Sequence, residues 1–193
     1  SIDCPFLIIF AANYKAMSSL EAKVSEAIRD IPDFPKPGIL FKDITPILED
    51  HQLTAEVTDG LIKPFENMQI DAVLGIESRG FFWGLLMAQK LKVPFIPVRK
   101  EGKLPYKTLK HEYDLEYGSA VIEVHEDAIK EGSKVLIHDD LLATGGTASA
   151  AASLVQKRQA EVAGFSFLVI LNFLKGTDVL KPISPQIHSI VEY

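Results

Sequence analysis

The chain has a single cysteine and no surplus of basic residues, and each shortage removes a class of protein. Cys4 cannot close an intrachain disulfide by itself, so a stapled secreted scaffold is excluded and a cytoplasmic protein is expected. Net charge is −6, from 20 Lys and Arg against 26 Asp and Glu. Nucleic-acid affinity draws mainly on clustered Lys and Arg, so no nucleic-acid partner is expected. The apolar run Phe6–Ala12 is too short to cross a bilayer and lacks the basic leader of a secretory signal, so no membrane association is expected either. Two nucleotide-binding fingerprints are missing. No G-x-G-x-x-G occurs, and Gly75 to Gly80 has the Walker spacing but continues into Phe81-Phe82 instead of Lys-Ser/Thr. His51, His111, His125 and His188 have no metal-ligand spacing.

What is present suits one globular domain: 193 residues, 47% of them hydrophobic, enough for a core and a cleft. Met17 opens the ordered part. Ser18 with Glu21 reads as a capping box, and Leu20, Val24, Ala27, Ile28 and Ile31 fall on one helical face. The expectation is therefore a natural start at Met17, with residues 1–16 an added or upstream-read extension and 17–193 a single domain. Strand-like and helical segments then alternate, as a parallel α/β sheet requires. Strands are predicted over 71–76, 93–98, 134–137, 165–171 and, at an edge, 187–191, with helices over 81–91 and 147–159. Residues 100–123 differ, being polar and interrupted by Gly102, Pro105 and Gly118 before Leu115, Tyr117 and Val121 alternate. They read as a lid ending in an antiparallel ribbon.

The sharpest signal is Asp139-Asp140-Leu141-Leu142-Ala143-Thr144-Gly145-Gly146-Thr147, which follows the apolar Val135-Leu136-Ile137 and precedes an Ala-rich helix. Backbone N–H groups of a glycine-rich turn can approach an anion, and the positive end of the helix adds roughly 0.3 to 1 kcal/mol per contact. Thr144 and Thr147 bring hydroxyl donors. Two carboxylates beside a phosphate would repel it unless they face something else, such as a vicinal diol or a hydrated cation. A sugar phosphate carrying magnesium meets both demands. In open α/β sheets ligands sit beyond the carboxyl ends of strands, which is where Glu77-Ser78-Arg79 and Asp139-Asp140 both fall. The two motifs should share one cleft.

This loop resembles the phosphoribosyl-diphosphate-binding motif of type I phosphoribosyltransferases, in the form found in the adenine-using branch. Four further blocks resemble that family in the same order: Asp33–Thr45, Gly75–Phe81, Val98–Pro105 and Tyr113–Gly118. The resemblance implies a central, mainly parallel sheet flanked by helices with a mobile hood. It implies transfer of the 5-phosphoribosyl group from phosphoribosyl diphosphate to adenine, giving AMP and diphosphate, with Mg²⁺ as cofactor and a homodimer as the assembly. Xanthine, hypoxanthine or orotate as acceptor, a nucleotide-sensing regulator and a purely structural α/β protein are the alternatives.

Residue roles follow from the same resemblance. Displacing diphosphate from an anomeric carbon passes through an oxocarbenium-like state, so cations must meet the leaving group. Ser78 and Arg79 line the diphosphate loop, and Arg99, Lys100 and Lys103 supply further positive charge. Asp139 and Asp140 hold the ribose hydroxyls, with the substrate's magnesium nearby. Ala143, Thr144, Gly145, Gly146 and Thr147 cradle the 5-phosphate. Glu116, entering with Tyr117, handles the proton that adenine loses at N9. Leu40 lines the base edge and Leu171 the base pocket. Lys42 stands where the family often carries Arg, and an ammonium gives up guanidinium stacking on the base. His138 stands where an apolar strand residue is usual, which suggests either a partly buried core histidine or a modest pH-sensitive neighbour of Asp139. Phe81, Phe82 and Trp83 are expected in core packing or at a subunit interface.

Overall fold

A computed structural model of the chain describes residues 20–114 and 118–193. Cys4, Met17, Ser18, Leu115, Glu116 and Tyr117 lie outside the described residues, and with them the proposed start, the capping box and the proton-transfer pair. The chain divides into two compact units, Ser1–Gly60 and Leu61–Tyr193.

The first unit holds a helix α1 (20–27), a hairpin of β1 (Arg29–Pro32) and β2 (Leu40–Asp43), helix α2 (Thr45–Glu49) and most of α3 (His51–Ile62). Val24 and Ile28 are buried, as their helical spacing foresees. Ile31 is not on that helix. It pairs with Phe41 across the hairpin and is 37% exposed. The reason is Pro32: the residue before a proline is pushed from helical to extended backbone. Asp33 then turns the chain with a left-handed φ of 59°, and its carboxylate accepts the Gly38 N–H at 2.7 Å.

The second unit is built on a seven-stranded sheet in the order β5-β6-β4-β3-β7-β8-β9. Its strands are β3 (Ala72–Ile76), β4 (Phe95–Lys100), β5 (Thr108–Asp114), β6 (Ser119–His125), β7 (Lys134–Leu142), β8 (Glu161–Ile170) and β9 (Ile187–Glu192). Five of them, β4-β3-β7-β8-β9, run parallel, while the β5–β6 ribbon is antiparallel and joins through β4. All five residues of β3 and all but the first of β8 are buried, the unbroken apolar pattern of a parallel sheet covered on both sides.

Alternate strand residues face opposite sides. Leu74, Ile76, Val135 and Ile137 share one core with Ala148, Ala151, Ala152 and Val155 of helix α5 (Gly146–Lys157). On the other face a Cβ at Gly84 of helix α4 (Gly80–Leu91) would lie 3.6 Å from both Gly75 Cα and the His138 ring. Small residues on both helices thus let them settle closely on the sheet. A short helix, α6 (Gly176–Leu180), precedes the edge strand β9.

Two elements outrun their sequence pattern. β7 was expected to stop at Ile137 but continues through Asp139 and Asp140 to Leu142, in parallel register with Asp139↔Phe167 and Leu142↔Ile170 on β8. The apolar run ends at Ile137, while the hydrogen-bond ladder goes on and Asp140 and Leu142 stay buried. The ribbon starts at Thr108, and seven register pairs tie β5 to β6. Among the described residues no helix is long and apolar enough to cross a membrane.

Candidate active site

The sheet reverses its winding between β3 and β7. From β3 the chain moves through α4 to β4 on one side, and β7 lies on the other. At such a switch point the loops leaving the carboxyl ends part and open a crevice. Here the parting strands are paired Gly75↔His138, so Glu77-Ser78-Arg79 leaves beside Asp139-Asp140. The Glu77–Ser78 peptide is cis. Gly80 fixes how closely the two ends meet. A Cβ there would come within 2.9 Å of the His138 carbonyl oxygen and 3.0 Å of Asp139 Oδ1, so only glycine fits.

The crevice encloses about 320 Å³ and is lined by Glu77, Ser78, Arg79, Lys100, Asp139, Asp140 and Leu141. Its central contact is an ion pair between Arg79 Nε and Asp140 Oδ2 at 2.8 Å. The Asp140 N–H in turn donates to Asp139 Oδ1 at 2.9 Å. Asp140 is 4% exposed. Loss of water raises the Asp140 carboxyl above its ordinary range, and the charge of Arg79 only partly opposes this. Asp139 is driven up further, first by desolvation and then by the neighbouring Asp140 charge. Both carboxyls are therefore easier to protonate than an ordinary aspartate. A cation or a diol would relieve the pair.

The opposite wall is already balanced. Glu77 accepts the Lys100 N–H at 3.0 Å and faces Arg99 Nε at 3.2 Å, while Arg99 Nη1 donates to the Lys103 carbonyl at 3.1 Å. Burial pushes the Glu77 carboxyl up, but these donors outweigh it and hold it below the usual range. Glu123, 2% exposed, accepts the Lys103 and Leu104 N–H groups at 3.0 and 3.1 Å. Its carboxyl, too, is lifted by burial and brought lower by its donors, Leu104 first. The Lys100–Leu104 turn is thereby moulded around two carboxylates.

Behind the crevice, β7 passes into the loop Ala143-Thr144-Gly145 and then α5. Gly145 has φ of 86°, a left-handed conformation that glycine adopts without strain, and it starts α5 with no side-chain cap. The first-turn N–H groups of α5 are therefore not taken by a cap. Segment 171–176 braces this loop: Leu171 N–H donates to the Leu142 carbonyl at 2.9 Å, and a Cβ at Gly145 would lie 2.8 Å from the Gly176 carbonyl oxygen.

Of the residues singled out by sequence, Ser78, Arg79, Lys100, Asp139 and Asp140 meet in one crevice, and Ala143 to Thr147 form the loop that continues from it. Arg99 and Lys103 stand on the neighbouring turn, Arg99 engaged with Glu77. Leu171 lies just past β8. Leu40 and Lys42 belong to the hairpin of the first unit, where Leu40 is 52% exposed and Lys42 pairs with Asp30 at 2.6 Å. Glu116 and Tyr117 are outside the described residues. Trp83 is buried, whereas Phe82 is 45% exposed and Phe81 packs edge-on against Phe95. His138 is fully buried, the core histidine of the two expectations. Its Nδ1 donates to the Ser166 carbonyl at 2.9 Å, and burial brings its pKa down to about 4 despite that bond.

Sequence reasoning gave no role to Glu77, Glu123, Leu141 or Tyr113. Glu77 was readable in principle, since an acid two residues before Arg79 in a diphosphate loop needs a partner of its own. Glu123 was not, because its partners are backbone groups 19 and 20 residues away.

The chain is similar to known proteins in sequence and in fold. The sequence profile of the phosphoribosyl transferase domain matches residues 44–185. An adenine phosphoribosyltransferase of Cytophaga hutchinsonii is 49% identical over 174 residues, covering 90% of this chain and 96% of its own. The crystal structure of adenine phosphoribosyltransferase from Rhodothermus marinus superposes with a TM-score of 0.85 at 46% identity, over 91% of this chain and 99% of that one. The Saccharomyces cerevisiae enzyme, solved with an imino-altritol bisphosphate and adenine, gives 0.83 at 38% identity over 90% and 99%. With the crevice at the switch point and these likenesses along nearly its whole described length, the chain belongs to the phosphoribosyl transferase family, within its adenine phosphoribosyltransferase branch.

Proposed function

We propose that the crevice transfers the 5-phosphoribosyl group of phosphoribosyl diphosphate to N9 of adenine, releasing diphosphate and AMP. The observation that carries this reading is the Arg79–Asp140 ion pair, which brings a diphosphate-type loop and a ribose-type carboxylate pair to one point. Ser78, Arg79 and Lys100 receive the diphosphate as its charge grows, with Lys103 and Arg99 on the adjoining turn. Asp139 and Asp140 accept hydrogen bonds from the two ribose hydroxyls. The 143–147 loop takes the 5-phosphate on main-chain N–H groups. Leu40, Lys42 and Leu171 contact adenine, and Glu116 with Tyr117 takes its proton.

Magnesium belongs to this reading as part of the substrate. Among the described residues no group of three or more His, Cys, Asp or Glu could hold a metal ion, whereas the desolvated Asp139–Asp140 pair suits a hydrated cation brought in by the diphosphate. The enzyme works as a cytoplasmic homodimer with no nucleic-acid or membrane partner.

The test is AMP formation from adenine and phosphoribosyl diphosphate with magnesium, against hypoxanthine, xanthine, guanine and orotate, with a chelator control. Adenine should be preferred by at least about 10²-fold in kcat/KM, because rejecting a carbonyl-edged base leaves buried polar groups unpaired. Turnover of another base, or binding without turnover, would replace this reading by a different transferase or a sensor.

A further inference from the structure

Tyr113, near the end of β5, and Thr147, in the first turn of α5, place their hydroxyls 3.2 Å apart across 34 residues of sequence. The packing there is close. A Cβ at Gly146 would lie 3.8 Å from the Tyr113 ring and 3.9 Å from the Asp114 carbonyl oxygen, so the ribbon rests on the turn that starts α5. The Tyr113 ring is partly buried against the main core, which fixes where its hydroxyl can reach.

A hydroxyl carries one proton. If Thr147 gives its proton to Tyr113, it has none for an anion at the start of α5. If Tyr113 donates instead, Thr147 accepts on a lone pair and its own proton is free to point outward. An anion arriving at the loop favours the second direction, and donors in a chain strengthen one another.

We propose that Tyr113 is a positioning residue for the sugar-phosphate site: its hydroxyl donates to Thr147 Oγ1 and turns the threonine proton toward the 5-phosphate. This rests on the function proposed above, which puts that phosphate on the 143–147 loop. The ribbon thereby takes part in substrate recognition without touching the substrate.

The test is calorimetric titration of ribose 5-phosphate into the full chain, Tyr113→Phe, Thr147→Val and the double variant, with steady-state kinetics on each. Phenylalanine keeps the ring and its packing. Tyr113→Phe should weaken ribose 5-phosphate about five- to tenfold, the value of one hydrogen bond. The double variant should be no weaker than Thr147→Val alone, because a relay has nothing to give once its receiver is gone. The KM for phosphoribosyl diphosphate should rise by the same factor, while the KM for adenine stays within about twofold, a split that a general packing defect does not produce. Tyr113→Phe binding within twofold of the parent, or losses that multiply in the double variant, overturns the proposal. A parent chain that binds ribose 5-phosphate but makes no AMP defeats the proposed function and leaves the relay to be decided by the titration. Active enzyme with an indifferent Tyr113→Phe defeats the relay alone.

Discussion

Asp139 and Asp140 in the crevice, and Glu77 and Glu123 around the adjoining Lys100–Leu104 turn, are four acids in the same unit with opposite electrostatic histories. Glu77 and Glu123 lose water but gain backbone donors at 3.0 to 3.1 Å, and their carboxyls end below the usual range. Asp139 and Asp140 lose water too, but there desolvation outweighs one guanidinium and the nearby main-chain N–H groups, and theirs end above it. A buried carboxylate that is fully served by main-chain donors holds structure together. One that is underserved is waiting for a ligand. Substitutions on the two sides should therefore fail in different ways.

Asp140→Asn gives the largest effect on activity. It keeps the shape but removes the anionic acceptor, and kcat/KM for AMP formation should fall by about 10² to 10³, on the scale of one lost transition-state contact. Stability should hardly change, because neutralising a carboxyl that burial already disfavours costs little. Circular dichroism melts should agree within about 3 °C, and a collapse of the melt with activity would erase the proposed distinction.

His138, on the strand just before the aspartate pair, yields the next effect, on stability against pH. Its folded pKa of about 4 is below the unfolded value of 6.5, so the unfolded chain binds the extra proton between those limits. Its contribution is complete above pH 6.5 and is lost as pH falls toward 4, a loss of roughly 3 kcal/mol over the window. The raised carboxyls of Asp139 and Asp140 act the other way on acidification, so the parent alone does not isolate the term. His138→Leu does. Urea unfolding at pH 7 and pH 4 should show the difference between variant and parent moving by that amount in favour of the variant, and a constant difference would mean that His138 titrates normally.

Glu123→Gln sharpens the comparison from the structural side. The Lys103 and Leu104 N–H groups keep an acceptor of weaker charge, so stability should drop by about 1 to 2 kcal/mol in urea. The KM for phosphoribosyl diphosphate should rise severalfold as the Lys100–Leu104 turn loosens, with kcat changed less than in Asp140→Asn. An unchanged KM would detach that turn from the diphosphate.

How much of this was legible follows the same division. The crevice acids and the 75–80 loop could be read because each follows an apolar strand and precedes a helix, an order that depends only on neighbours in sequence. The true length of β7 could not. Asp139 and Asp140 break the apolar pattern, yet the ladder to β8 continues past them, since hydrogen bonding needs no apolar side chains. Ile31 was misplaced because helical spacing outweighed Pro32. Glu123 sits between Ile122 and Val124 in a strand where three consecutive residues are buried, so alternation would have turned it to water. Its partners belong to a turn that only the folded sheet edge brings near.

Lys110 and Glu101 supply the smallest effect and the control for the whole comparison. Their ion pair, at 2.8 Å, is among the shorter ones in the second unit, yet its side chains are 48% and 52% exposed. Water screens the attraction, and two long side chains lose freedom to make it. Glu101 raises the Lys110 pKa by hydrogen bond and charge, so any contribution is present at neutral pH and is lost as the ammonium deprotonates at alkaline pH. Lys110→Ala should leave the melt within about 2 °C of the parent at pH 7, and the KM for phosphoribosyl diphosphate within twofold, although the residue lies on the same ribbon as Tyr113. A larger loss of stability would show that charge pairing itself, not desolvation and main-chain donors, separates the acids of this unit.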